Sequence, residues 1–296
     1  GVGSGTDALF LSLKALNIGS GDEVITTTYT FYATIGAIVT AGAKPVFCDV
    51  GDDYNINPLE IESKITNKTK AIIPVHWAGK PCAMDEINKI ANFFNLKVIE
   101  DACHAIQDEY NEKRCGSLGD IGCFSFHPLK NLSALGDAGA IICKSKKKYN
   151  WFKKARNNGH PSRDECDFWS FNMRLDTLQA AYLNEKIKKL KKINFKRNQN
   201  AKVYFKELSK IKDINLPTID KKNFSVFNLF MIQAKKRDAL TKYLKKKKIE
   251  TKIHYPKPVH LQKAGIKFFK RNNLKYTELY AKKILSLPIN QYLSKN

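Results

Sequence analysis

The fold is decided by the stretch Gly119-Asp120-Ile121-Gly122-Cys123-Phe124-Ser125-Phe126-His127-Pro128-Leu129-Lys130-Asn131-Leu132. Its apolar residues 123–126 predict a short buried strand, and a second apolar run follows at residues 141–143. Lys130 therefore lies in a turn between two strands, with Gly136 and Asp137 nearby instead of further lysines. A lysine in such a turn can lose its proton through burial and attack a carbonyl carbon. The alternative is an ordinary surface lysine, in a chain with 51 lysines and arginines.

Strands and helices alternate through the first 100 residues. The hydrophobic pattern predicts strands at residues 23–27, 45–48, 70–75 and 97–101, and helices at residues 8–16, 34–41 and 84–95. This alternation predicts an α/β fold with a mostly parallel central sheet and helices on both faces. Ligands bind such sheets at the carboxyl ends of the strands. We therefore expect Phe31, Asp101 and the turn of Lys130 to lie near one another.

The pattern changes after Trp151. Helices are predicted at residues 146–157, 237–247 and 276–285, strands at residues 227–234 and 250–254, and a long helix from Asn172 to beyond Tyr204. We expect a large α/β domain over residues 1–175, followed by the long helix and a smaller α+β domain over residues 176–296. The chain begins at Gly1 inside a motif and without an initiator methionine, so we expect its N-terminus to be truncated.

Composition and charge narrow the class of protein. Apolar residues make up 43% of the chain, which is ordinary for a globular protein, and no apolar run reaches the roughly 18 residues of a membrane span. The net charge of +23 comes mostly from lysines spread over helices, without aromatic-interleaved basic repeats. We therefore interpret the positive charge as solvated helix faces and not as a binding surface for nucleic acid. Such a charge would still attract a phosphorylated small molecule. The seven cysteines lack metal-ligand spacing, which indicates reduced thiols in a cytoplasmic protein and no metal site.

The segment Gly3-Ser4-Gly5-Thr6-Asp7-Ala8-Leu9 leads small residues into a helix. The free N–H groups of such a helix start favour a phosphate, although an ordinary helix cap is the alternative. Together with an aromatic residue after one strand (Phe31), an aspartate after another (Asp101) and a lysine in a turn, this predicts a site for pyridoxal phosphate. Lysine would bond the aldehyde, and the aspartate carboxylate would keep the pyridine nitrogen protonated.

With these residues in place, the sequence resembles the DegT/DnrJ/EryC1/StrS family of sugar aminotransferases, which have the type I fold of pyridoxal-phosphate transferases. The resemblance rests on ten segments in register along nearly the whole chain: residues 3–9, 21–25, 30–34, 42–47, 73–76, 98–102, 125–130, 172–181, 254–256 and 285–288. Each motif is weak alone, and the order of all ten makes the resemblance strong.

The resemblance implies roles for individual residues. Lys130 is the Schiff-base lysine that also moves a proton, Asp101 pairs with the pyridine nitrogen, and Phe31 stacks on the ring. The cofactor phosphate is held by the segment that contains Gly5, Thr6 and Asp7, together with Ser125. Asn172 reaches the cofactor of the partner subunit, so a homodimer with shared active sites is expected.

Three further positions are less specific. His104 stands where the family usually has glutamine, and either bonds the phenolic oxygen of the cofactor or is a packed histidine. His127 and Asn131 flank Lys130 and are expected to face cofactor or substrate.

The resemblance implies a reaction in which an amino acid, expected to be glutamate, gives its amino group to a keto sugar on a nucleotide. The form Lys130-Asn131-Leu132 with Gly136-Asp137 resembles members that act on 3-keto sugars, and predicts a dTDP- or UDP-linked 3-keto-6-deoxyhexose for a glycan or lipopolysaccharide. A dehydrating branch carries histidine in place of Lys130, which argues against that reaction here. The alternatives are amination of a 4-keto sugar, and a binding protein on the same fold that lost catalysis.

Overall fold

The structure is a computed structural model that describes residues 1–218, 220, 222–269 and 273–293. Its helices are α1 to α10 in chain order: Gly5–Ala15, Tyr32–Thr40, Pro58–Ile61, Met84–Phe93, Lys146–Ala155, Thr177–Ile187, Leu190–Leu208, Arg237–Lys246, Lys263–Phe268 and Lys275–Lys283. Its strands are β1 to β11: Glu23–Thr27, Lys44–Cys48, Thr69–Ile72, Lys97–Asp101, Glu109–Tyr110, Lys113–Arg114, Ile121–Ser125, Gly139–Cys143, Ile214–Asn215, Phe230–Ala234 and Ile284–Leu287. Single 3-10 turns occur at Glu62–Lys64, Trp77–Gly79 and Val259–Leu261.

The central sheet has six strands in the order β2-β1-β3-β4-β7-β8. The pairs up to β7 are parallel, and β8 runs antiparallel to β7, with Ile121 opposite Cys143 and Ser125 opposite Gly139. The predicted mostly parallel sheet is thus confirmed, with an antiparallel edge strand. Because β7 and β8 are antiparallel neighbours, the loop between them, residues 126–138, lies at the edge where the parallel strands end. This loop carries Lys130.

Helices cover both faces of the sheet, as predicted. Neighbouring residues of one strand point to opposite faces, so Val24 belongs to one core cluster and Ile25 to the other. Helices α1, α2 and α5 pack on the first face, and α3 and α4 on the second. The strands are apolar on both sides for this reason, which is typical of buried parallel sheets.

A second, antiparallel sheet with the order β11-β10-β9 lies in the C-terminal part of the chain. Its core residues Phe230, Ile232 and Leu285 pack with residues of α7 and α8. The division into a large domain over residues 1–175 and a smaller α+β domain over residues 176–296 stays a prediction. Helix α6 also packs on the loop of Lys130, because Leu183 shares a cluster with Leu132 and Ala134.

Several predicted boundaries in this part are wrong. The long helix starts at Thr177 instead of Asn172, because Asp176 is an extended N-cap (ψ 141°), and it is interrupted between Ile187 and Leu190. Residues 250–254 form only a bridge between Lys252 and Ser286. The last helix ends at Lys283, because the residues that follow pair with β10 as strand β11.

Helix length and composition also bear on membrane insertion. No helix within the described ranges combines the length and the apolar character that crossing a bilayer requires.

Candidate active site

A cavity of about 900 Å³ opens at the carboxyl edge of the central sheet. Its walls come from the start of α1, the β1–α2 turn, the end of β4 and the loop after β7. Residues of the C-terminal unit, at positions 250–255 and 286–292, close the other side. The expected proximity of Phe31, Asp101 and Lys130 is confirmed, because all three line this cavity.

Lys130 lies in the cavity wall, in a turn closed by its own N–H, which donates to the carbonyl of His127 at 2.8 Å. Burial lowers the pKa of Lys130, although the nearby Cys103 and Asp101 act in the opposite direction. The interpretation as an ordinary surface lysine is excluded by this position. A larger fraction of neutral amine makes Lys130 a better nucleophile and proton acceptor.

Asp101 ends strand β4 and is 5% exposed. Its Oδ2 accepts the hydroxyl of Thr34 at 2.8 Å, and its Oδ1 accepts the N–H of Cys103 at 3.2 Å. The Thr34 hydroxyl is in turn paired with Thr30 at 2.8 Å. These bonds fix the carboxylate in one orientation at the cavity wall. Thr34 was missed in the sequence because a threonine in the first turn of a helix gives no signal of its own.

The start of α1 forms one end of the cavity. Ser4 caps the helix by accepting the N–H of Asp7 at 3.0 Å, and Gly5, Thr6 and Ser125 line the wall. A Cβ atom on Gly5 would lie 2.8 Å from Cys103 Sγ and 2.9 Å from the Cβ of Ser125, so no larger residue fits there. The free backbone N–H groups and the dipole at this helix N-terminus favour a phosphate.

Asp7 does not line this cavity, in contrast to the expectation from its motif. Its main contribution is the backbone N–H that pairs with Ser4, and burial raises the pKa of its carboxyl. The structure thus assigns Asp7 to the capping of α1 rather than to the cavity wall.

Aromatic rings form a further wall. The ring of Phe31 lies 4.0 Å from that of Tyr32 and 6.1 Å from that of Tyr255, measured between centroids. Trp77 packs on Tyr255 at 5.5 Å and on His104 at 5.1 Å. Tyr255 and its neighbour His254 belong to a motif that the sequence singled out without a role, and Trp77 carried no signal.

His104 lines the cavity as a neutral ring. Burial, followed by the charges of Lys130 and His254, lowers the pKa of His104 well below its usual value. Its Nδ1 accepts the N–H of Ala78 at 3.2 Å, so the ring proton is on Nε2. His104 is thus packed against Trp77 and also able to donate a hydrogen bond, which combines the two alternatives left open by the sequence.

Asn131 and His127 both line the cavity, and their surroundings differ. The Asn131 amide donates to Asn194 Oδ1 at 2.8 Å and to the carbonyl of Val226 at 3.1 Å, and its Oδ1 accepts from Asn228 at 3.1 Å. This network ties the turn of Lys130 to α7 and to the segment before β10. His127 is exposed, so it is the more accessible of the two to a substrate.

Asn172 lies outside the cavity wall of its own chain. It is exposed and forms a bridge with Asn157 just before α6. The structure therefore brings together all predicted site residues except Asp7 and Asn172.

Comparison with known proteins gives one consistent result. The family model described as the DegT/DnrJ/EryC1/StrS aminotransferase family matches residues 1–296. The dTDP-3-amino-3,6-dideoxy-alpha-D-galactopyranose transaminase of Aneurinibacillus thermoaerophilus is 43% identical over 100% of this chain and 81% of its own length. The UDP-N-acetyl-3-dehydro-alpha-D-glucosamine 3-aminotransferase of Acidithiobacillus ferrooxidans is 41% identical over 98% of this chain and 78% of its own.

A solved structure supports the fold. DesV of S. venezuelae, in complex with a ketimine intermediate, superposes with a TM-score of 0.96 at 35% identity. The match covers 99% of this chain and 80% of DesV. The predicted type I fold is thereby confirmed.

Proposed function

We propose, since the chain belongs to the DegT/DnrJ/EryC1/StrS aminotransferase family, that it moves an amino group from an amino acid to a keto sugar carried on a nucleotide. The observation that carries the proposal is the meeting of a buried lysine, a fixed carboxylate and a helix N-terminus in one cavity. The donor is proposed to be glutamate, and the product an amino sugar for a glycan or lipopolysaccharide made in the cytoplasm.

The residues of the cavity fit pyridoxal phosphate, the cofactor of this family. When bound, this cofactor supplies an aldehyde that carries the amino group between donor and acceptor and a ring that withdraws electrons. Gly5, Thr6 and Ser125, which line the cavity at the start of α1, would hold the phosphate. Phe31 would stack on one face of the ring, and the Nε2–H of His104 would donate to the phenolic oxygen.

The chemistry assigned to the chain is mostly proton and charge control. Lys130 is the residue that would hold the cofactor through its amine. As a free amine, Lys130 Nζ would take the proton from the amino-bearing carbon of the donor and would later deliver one to the sugar carbon. Asp101 holds the positive charge at the ring nitrogen, and its bonds to Thr34 and Cys103 keep it in place. Asn131 keeps the Lys130 turn in position through its three amide bonds.

The sugar carbon is proposed to be C-3. The two relatives described above are a 3-amino-3,6-dideoxyhexose transaminase and a 3-aminotransferase. We expect the protein, with glutamate, to convert a dTDP- or UDP-linked 3-keto sugar into its amine at least about tenfold faster than the 4-keto isomer. The product is identified by mass spectrometry and NMR. Preferential amination of the 4-keto isomer would contradict this choice of carbon.

A homodimer is proposed because large apolar side chains close to Asn172 in the chain are exposed. Trp169 is 96% exposed, Phe171 is 58% exposed and Leu178 is 73% exposed. Exposed apolar patches of this kind mark protein interfaces. Since Asn172 lies outside its own cavity, a partner subunit with two-fold symmetry gives it a cavity to reach.

Mixed dimers test this sharing. Asn172→Ala is expected to weaken cofactor retention, and Lys130→Ala to remove turnover. If Asn172 acts across the interface, dissociating and reassociating the two variants together restores activity to about a quarter of the wild-type level, because half of the dimers are mixed and each has one intact site. The control mixes Lys130→Ala with the double variant Lys130→Ala/Asn172→Ala, and no restoration is expected. If the first mixture shows only the summed activities of its components, Asn172 does not act in the partner's site.

A further inference from the structure

A second depression of about 500 Å³ lies beside the active-site cavity, on the surface of α6 and α7. Its walls include Lys186, Lys189, Lys192 and Lys196, together with Gln291 and Tyr292. We call it the lysine groove. The cavity and the lysine groove share Lys186, Gln291 and Tyr292, so the two are direct neighbours.

The four lysines are spaced by three, three and four residues, which places them along one side of the α6–α7 junction. Lys186 marks the border with the active site, because its Nζ donates to the hydroxyl of Ser133, three residues beyond Lys130. Lys189, Lys192 and Lys196 are exposed. Among the residues that the structure describes, no carboxylate lies within ion-pair distance of these four ammonium groups.

The groove contains one acidic side chain, Glu185, and its charge is already compensated. Glu185 Oε1 lies 2.7 Å from the amine of Lys188, which is outside the groove. The groove therefore has a net positive charge of several units. A ligand with adjacent negative charges, such as a diphosphate, is stabilised by several of these amines at once.

From this charge and position we infer that the lysine groove binds the diphosphate of the nucleotide-linked substrate while the sugar occupies the cavity next to Lys130. The inference rests on the proposed function, because it assumes a substrate that carries a diphosphate. It assigns to Lys189 and Lys192 the binding of substrate without any part in the proton transfers.

The test measures binding of dTDP and of UDP to the protein loaded with pyridoxal phosphate, by calorimetry. The variant Lys189→Ala/Lys192→Ala removes two charges from the groove. The matched control, Lys191→Ala/Lys202→Ala, removes two exposed charges from the same helix outside the groove. We expect the groove variant to raise the dissociation constant of the nucleotide that binds by about tenfold, and the control to change it by less than about twofold.

Inorganic pyrophosphate serves as the second probe. It is expected to compete with the nucleotide in the wild type, since both would occupy the same amines. The inference would be overturned if neither dTDP nor UDP bound the wild type, or if the groove and control variants bound the nucleotide equally. It would also be overturned if pyrophosphate did not compete with the nucleotide in the wild type.

The proposed function is checked separately in the same preparations. The spectral change of the loaded protein on adding glutamate does not involve a nucleotide, so it is expected to be unchanged in the groove variant. Its absence from the wild type would contradict the proposed aminotransferase activity, and the binding data would still decide the assignment of the groove.

Discussion

Replacing Lys130 with alanine is expected to lower the turnover of transamination by about 10⁴-fold or more, with the fold retained. The amine is the group that bonds the aldehyde and moves the proton, and alanine can do neither. Its side chain is not part of an ion pair among the described residues, and the buried carboxylate of Asp101 keeps its hydrogen bonds from Thr34 and Cys103, so the fold is expected to be retained. Turnover is measured with glutamate and a keto-sugar nucleotide, and folding by thermal denaturation.

Lys80 offers a matched control for Lys130. Burial lowers its pKa too, but Lys80 bonds Thr218 and does not line the cavity. Lys80→Ala is expected to keep turnover within about threefold of the wild type, because a low lysine pKa without the cavity has no catalytic role. Comparable losses in the two variants would indicate that Lys130 acts through stability and not through chemistry.

Replacing Asp101 with asparagine is expected to lower turnover by about 10³-fold while changing stability little. The amide has nearly the same shape, and its oxygen can accept the N–H of Cys103 while its NH2 group donates to the hydroxyl oxygen of Thr34. It has no negative charge, so it no longer stabilises a protonated pyridine nitrogen. The measurement is turnover, with the melting temperature as a second readout.

Replacement of the adjacent residue Glu100 is expected to lower stability and to leave the activity of the folded protein unchanged. It accepts the N–H groups of Gly116, Leu118 and Gly119 at 2.6–2.7 Å, and pairs with His76 at 2.9 Å. Burial would raise its pKa, but the bonds from His76 and the backbone outweigh burial and lower it. Glu100→Gln weakens these charge-assisted bonds, so we expect a loss of about 3 kcal/mol in the free energy of unfolding.

Together the two variants separate catalysis from stability on one strand. Asp101→Asn is expected to lose activity at a nearly unchanged melting temperature, and Glu100→Gln to lose stability while its folded fraction remains active. If Asp101→Asn retains wild-type turnover, the assignment of Asp101 to the pyridine nitrogen is wrong.

The central sheet could be predicted from the sequence because its strands and helices are marked by patterns of neighbouring residues. Buried strands carry short apolar runs, as Ile121–Ser125 does, and their alternation with helices predicts a mostly parallel sheet. Asp101 and Lys130 could be found for the same reason, since Asp101 ends one predicted strand and Lys130 lies in the turn that follows another. The antiparallel direction of β8 could not be read in this way, because strand direction depends on how the loop of Lys130 folds back.

The sequence could not predict contacts between distant segments. The amide network of Asn131 joins residues 63 and 97 positions away, and no periodic pattern marks them. The break between α6 and α7 was missed because the lysine-rich pattern continues through it. The predicted last helix, residues 276–285, includes the first two residues of the strand Ile284–Leu287, since the pairing of this strand with β10 is decided by tertiary packing.

The most direct test of the central claim, that this cavity carries out transamination, is an absorption spectrum of the protein with bound pyridoxal phosphate, before and after addition of glutamate. The wild type is expected to show a visible band that decreases with glutamate as 2-oxoglutarate forms, and that returns when a 3-keto-sugar nucleotide is added. Lys130→Ala is expected to lack this cycle. Absence of the band and of 2-oxoglutarate in wild-type protein saturated with the cofactor would contradict the account, and would favour a binding protein that kept the architecture around Lys130 without its chemistry.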